Sequence, residues 1–163
     1  DNTLYIKHLE GAAWVNDLTW TKDNIADIDF ALSGDEIYFI AGTSNSSYRG
    51  GLYKVTSATT AQEIISNATD DWFQFPVSIS VDSDYSIIVA SMNYNESTTS
   101  FYPYLNLYDG LEWKTISGDF SGGIDPAIVS AIGTDLIFVY GDAASENASG
   151  EPTNIKSTKM TKQ

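Results

Sequence analysis

The chain has no cysteine, a single histidine (His8), a single arginine (Arg49) and four prolines. Without cysteine there is no disulfide framework and no thiol nucleophile. That absence disfavours a small stapled extracellular module of the animal type. His8 stands without the partners that a catalytic triad or a zinc site would need, so it is expected as an exposed strand residue. No apolar run approaches the ~18 residues of a membrane helix. Bases are scarce: 8 against 22 acids, a net charge of −14. All the acids lie between Asp1 and Glu151 beside only five bases, a balance of −17, whereas the last twelve residues hold Lys156, Lys159 and Lys162 and no acid. Such a body repels nucleic acid and anionic membrane surfaces. Its simplest reading is a solubilising surface. The basic end reads as a frayed tail, or as a segment that docks on an acidic neighbour. No signal peptide is visible and the first residue is Asp1, so the expectation is a processed product whose export signal has been removed.

What is present is apolar and aromatic. Hydrophobic residues make up 42% and aromatics 13%, which places the chain among folded domains rather than disordered ones. At 163 residues it is long enough for one domain with a real core. Three segments repeat at about fifty residues: Phe30–Gly42, Ile79–Ser91 and Val129–Gly141. Each is a short apolar run, a polar turn and a second run rich in β-branched and aromatic residues. Each is followed by a polar loop and two more strand-like pieces. Asp109-Gly110, between Leu105–Tyr108 and Leu111–Ile116, is the strongest hairpin motif. Thr59–Ser66 is the one short stretch with any helical periodicity.

Four strands per fifty-residue unit predict an all-β fold, a partial β-propeller of about three four-stranded blades within a single repeat array over 1–163. With the strands of a unit lettered A to D, residues 2–18 supply C and D of a half blade. Residues 26–66 and 76–117 supply two full blades, and 126–161 an incomplete one. A β-sandwich is the alternative, since it also uses short alternating strands. Closed propellers hold four to eight blades, so three leave open edges. The chain is then a fragment, or several copies complete a ring, or another chain supplies the rest.

Ile37–Gly42 and Leu136–Gly141 resemble the second strand of kelch repeats, with one glycine where that strand ends in a pair. Tyr108-Asp109-Gly110-Leu111-Glu112-Trp113 is similar to the kelch tyrosine-to-tryptophan spacing. The array also resembles sialidase-type propellers, without their Ser-x-Asp-x-Gly-x-Thr-Trp box. The resemblance covers nearly the whole chain and implies a fold. A sialidase site would need an arginine cluster around the substrate carboxylate, and Arg49 alone does not make one. A two-carboxylate glycosidase site would draw on Asp70-Asp71, Asp82/Asp84 or Asp27/Asp29, although Asp82 and Asp84 suit a turn and Asp27 and Asp29 a strand entrance. Calcium fits these acids better than zinc, with Asp70 and Asp71 the candidate ligands.

Four Asn-x-Ser/Thr sequons mark glycosylation candidates: Asn45, Asn67, Asn95 and Asn147. Asn45, Asn95 and Asn147 recur at spacings of 50 and 52, in the expected B–C loops, and Asn67 falls in a D–A loop. Trp14, Trp113, Tyr5, Tyr53, Phe39 and Phe138 are expected to pack between strands. The aromatics in or near loops are the binding candidates: Trp20, Tyr48 with Arg49, Trp72 with Phe73, Tyr94, Tyr102 and Tyr104. Such rings stack on sugars, or they cover blade ends against a neighbouring subunit.

The reading is an extracellular or cell-surface, non-enzymatic binding module for a carbohydrate or a protein partner, with no cofactor, no nucleic acid and no membrane insertion. The alternatives are a structural subunit of a surface assembly or filament, in which self-association completes the propeller, and a fragment of a propeller glycosidase.

Overall fold

A computed structural model of the protein describes residues 2–43, 50–66, 73–82, 84, 86–95, 100–116, 123–132, 135–142 and 154–161. The protein is all-β: the described residues form thirteen strands and no helix. The strands are β1 (Asn2–Glu10), β2 (Ala13–Lys22), β3 (Ile25–Ser33), β4 (Glu36–Thr43), β5 (Gly51–Ser57), β6 (Thr60–Ser66), β7 (Phe73–Val81), β8 (Ile87–Asn95), β9 (Ser100–Tyr108), β10 (Trp113–Ile116), β11 (Gly123–Ile132), β12 (Asp135–Asp142) and β13 (Ile155–Thr161).

Each strand pairs antiparallel with its neighbour in sequence, in four groups. β1 and β2 form a hairpin. β3–β6 form a first meander, β7–β10 a second and β11–β13 a third. A single bridge, Thr43 with Gln74, joins the first meander to the second. The turns follow local chemistry. Gly34 and Gly110 take φ of 62° and 93°, the left-handed region that a Cβ disfavours. Asp109 Oδ1 accepts the N–H groups of Leu111 and Glu112, at 2.9 and 2.8 Å, and closes the β9–β10 turn.

The first strand of every meander carries a bulge near its start: between Ile25 and Asp27, between Gln74 and Val77, and between Ile124 and Ala127. Pro76 and Pro126 lie inside the latter two. A ring that cannot donate a ladder hydrogen bond is tolerated where the ladder is already interrupted. Pro103 stands opposite Met92, on a part of β9 that β10 does not reach.

The sheets stack face to face, and strand alternation decides which side chains fill each seam. Ile6 and Leu18 of the hairpin pack on Phe39, Ala41 and Tyr53 of the first meander. Tyr38, Ile40 and Leu52, on its other face, pack on Val77, Ile79, Ile87 and Val89 of the second. Ile88, Ala90, Leu105 and Leu107 face Phe138 and Tyr140 of the third. The two central sheets are thus buried on both faces, which is why β4 and β8 read as continuous apolar runs rather than alternating ones. Fully burying one such large side chain contributes about 1.5–3 kcal/mol.

The structure departs from the sequence reading in several places. The repeat is not an unbroken alignment. Phe30 and Ile79 both face the preceding sheet, 49 residues apart, but so do Phe39 and Val89, 50 apart. The extra length lies in the β7–β8 turn, where the last pair is Val81 with Ile87, against Ser33 with Glu36 in β3–β4. Thr60–Ser66, within the 26–66 unit, pairs with β5 as its fourth strand. Asp27 and Asp29 lie within β3 rather than at its entrance, because pairing with β4 reaches back to Ile25. Trp14 and Tyr5 are not core residues: they are 69% and 60% exposed, on the hairpin face turned away from the first meander.

Candidate functional site

Aromatic and charged side chains meet where the hairpin lies on the first meander. The Trp20 ring stands 5.1 Å from Phe39 and 4.9 Å from Tyr53, which stack on each other at 5.0 Å. Lys22 Nζ lies over the Tyr53 ring at 4.9 Å and donates to its hydroxyl. Burial pushes the Lys22 ammonium below its ordinary range, and Glu63 opposes that shift; burial also pushes the Tyr53 phenol up. Trp20, a binding candidate expected near a loop, is therefore in β2 with its ring committed to the seam.

Beside this seam lies an open groove of about 330 Å³, lined by Asn16 and Asp17 of β2, Asp35, Glu36 and Ile37 at the β3–β4 turn, and residues 55–58 at the β5–β6 turn. Asn16 Nδ2 donates to Thr19 Oγ1 at 3.1 Å and to the Ala58 carbonyl at 3.4 Å, while its buried Oδ1 has no hydrogen-bond partner among the described residues. His8 Nδ1 lies 2.8 Å from Asp17 Oδ1. Glu36 accepts from Lys54 and, at 2.8 Å, from the Tyr38 hydroxyl. Lys54 is the main reason that the Glu36 carboxyl is held below its usual range. The groove thus presents carboxylates and the hydroxyls of Thr56 and Ser57. This set accepts hydrogen bonds from hydroxyl or ammonium groups. Sequence reasoning missed it, because it is built from one strand and two turns about twenty residues apart that carry no common motif. Among the described residues, no group of three or more histidines, aspartates and glutamates is placed to hold a metal ion.

The acid pairs proposed from sequence have structural partners. Asp27 Oδ2 accepts the Val77 N–H at 2.8 Å, and Asp29 Oδ2 accepts that of Ile79 at 2.9 Å. Asp84 Oδ1 accepts the Ser86 N–H at 3.2 Å, and the Asp82 N–H donates to the Ser86 carbonyl, so both acids belong to the β7–β8 turn.

The remaining candidates do not gather into one described site. Phe73 opens β7, Tyr94 lies in β8, and Tyr102 and Tyr104 lie in β9, with Tyr102 opposite Asn93 and Tyr104 opposite Ser91. These four are strand residues rather than loop residues, because the β8–β9 ladder continues out to Asn95 and Ser100 and the β7–β8 ladder out to Phe73 and Asn93. Asn95 is the last residue of β8. Tyr48, Arg49, Trp72, Asp70, Asp71, Asn45, Asn67 and Asn147 lie outside the described residues. In chain order Asn45 falls between β4 and β5 and Asn147 between β12 and β13. The chain matches no protein-family model, and no curated protein matches it in sequence.

Proposed function

We propose that this chain is a propeller-type repeat body that works by binding a carbohydrate or a protein partner rather than by catalysis, outside the cell. The observation that carries this reading is the groove beside Asn16. Its lining carboxylates Asp17, Asp35 and Glu36 and the hydroxyls of Thr56 and Ser57 suit a polyhydroxylated ligand that donates hydrogen bonds. Binding is favoured over turnover by the state of the acids. Asp27 and Asp29 are engaged by backbone N–H groups, and Asp17 and Glu36 by His8 and Lys54. The stacked meanders at a fifty-residue period support the propeller reading over a two-sheet sandwich.

A glycan array tests the ligand class. The expected result is saturable binding that weakens in Asn16→Ala and Asp35→Ala. Loss in Trp72→Ala or Tyr102→Ala instead, with Asn16→Ala unaffected, would move the site to those aromatics. Turnover of an aryl glycoside that disappears in Asp35→Asn would replace binding with catalysis. Intact mass after secretion from a eukaryotic host reads sequon use directly, as excess mass in hexose-sized steps.

A second reading, a structural subunit of a surface assembly, is favoured by the exposed apolar side chains Tyr5, Leu9 and Trp14 on the outer face of the hairpin. It predicts a solution mass above the monomer by light scattering, reduced by Trp14→Asp.

A further inference from the structure

The hairpin sheet is two strands short of the meander that follows it, and the side chains beneath the gap show what belongs there. β5 pairs with β4 on one edge and β6 on the other, and β9 likewise pairs with β8 and β10. β1, the counterpart of β5 and β9 in its own sheet, pairs only with β2 among the described residues. One backbone edge of β1 is therefore open.

The face beneath that edge is apolar and uncovered. In the second meander, Val77 and Ile79 of β7 are each 7% exposed, because Tyr38 and Ile40 of the first meander lie over them. Phe30, which matches Ile79 in pairing and facing, is 58% exposed, and Leu32 two residues on is 60% exposed. The difference is not in the residues, which are larger and no less apolar. It is in the sheet above, where the hairpin supplies the equivalents of β5 and β6 and no described residue supplies the equivalents of β3 and β4. A recess of about 120 Å³ lined by Asn2, Thr3, Leu4, Trp20, Ile25 and Ile28 opens between β1 and β3 on this same side, and Asn2 Nδ2 donates across it to the Ile25 carbonyl at 2.6 Å.

The geometry points to a docking site for an antiparallel pair of β-strands of the β3–β4 kind, contributed by a partner polypeptide that is not a second copy of this chain. One strand of about eight residues would run antiparallel to β1 and complete its ladder, as β4 does for β5. The other would lie over Phe30 and Leu32, with apolar side chains at alternate positions. The internal repeat specifies this occupant, because the same position one sheet further on is filled by such a pair. The site is independent of the groove at Asn16, so ligand binding there and strand docking here can fail separately.

The test uses the full chain and a synthetic peptide with the sequence of Ile25–Thr43 as the strand pair. The expected result is saturable binding, slowed hydrogen exchange at alternate backbone amides of β1, and affinity weakened about tenfold or more in Phe30→Asp and in Leu32→Asp. Leu111→Asp, an exposed leucine at the β9–β10 turn, serves as the control and leaves binding unchanged. No saturation at millimolar peptide would overturn the proposal, as would binding indifferent to Phe30→Asp and Leu32→Asp. Self-association of the chain that buries Phe30 and excludes the peptide would also overturn it, in favour of a second copy as the occupant.

Discussion

Asp29 ties two sheets together through one carboxylate: its Oδ1 accepts the N–H of Phe30 in its own strand, and its Oδ2 accepts the N–H of Ile79 in the next meander, both at 2.9 Å. Asp27 repeats the arrangement with Ile28 and Val77. Neighbouring sheets therefore meet through side-chain acceptors where a ladder hydrogen bond is out of reach. Replacing Asp29 with alanine leaves the Ile79 N–H without its partner in a buried seam, a loss of about 1–3 kcal/mol. Asn retains an oxygen, so Asp29→Asn is expected to cost less than Asp29→Ala. Urea denaturation midpoints check both, and equal midpoints for wild type and Asp29→Ala would refute the role.

Gly51 opens β5 where the chain comes closest to its neighbours. A Cβ there would stand 2.8 Å from the Ile65 carbonyl oxygen and 3.0 Å from the Tyr53 hydroxyl. The carbonyl belongs to the β6 backbone and cannot swing away. Gly51→Ala is expected to destabilise by about 1–3 kcal/mol through overpacking. A thermal melt that matches wild type would show that β5 and β6 can separate freely.

Phe39 is the centre of the seam between hairpin and first meander, fully buried and in contact with Trp20 and Tyr53. Phe39→Ala is expected to cost about 3–5 kcal/mol. Amide exchange in β1 and β2 should then accelerate more than exchange in β8. Uniform acceleration across all sheets would mean that the hairpin is not a separately opening unit.

Alkaline pH probes the buried phenols. Burial first, and the hydrogen bond to Glu36 second, push Tyr38 up to about 12, and burial raises Tyr53 as well. In the unfolded chain a tyrosine titrates near about 10. The folded state holds these protons longer, so their stabilising contribution is whole below pH ~10 and is lost as pH rises towards 12. Lys22, with its pKa lowered chiefly by burial, acts in the opposite sense and stabilises as pH climbs towards its unfolded value of about 10.4. The net fall in urea midpoint is therefore expected above that pH, with a shallower fall in Tyr38→Phe. An identical slope in the variant would remove Tyr38 from the account.

Much of the fold is legible in the chain itself. Apolar runs bounded by polar turns mark the strands of every unit, and Asp109-Gly110 marks a turn whose geometry is local. The fifty-residue recurrence marks Phe39 and Phe138 as interior positions. These features depend on neighbours a few residues away, and the sequence by itself determines them. Alternation shows which residues share a face, but not whether another sheet covers that face. Trp14 and Phe39 are both aromatic strand residues, and only the stacking leaves Trp14 in water and encloses Phe39. One residue more in the β7–β8 turn moves the match between β4 and β8 from 49 to 50, invisible in a gapless alignment, because a single step reverses every side chain. The roles of Asp27 and Asp29 and the groove at Asn16 were decided by the tertiary structure alone. Each depends on backbone groups that approach from distant segments, and their placement is a property of the packed sheets.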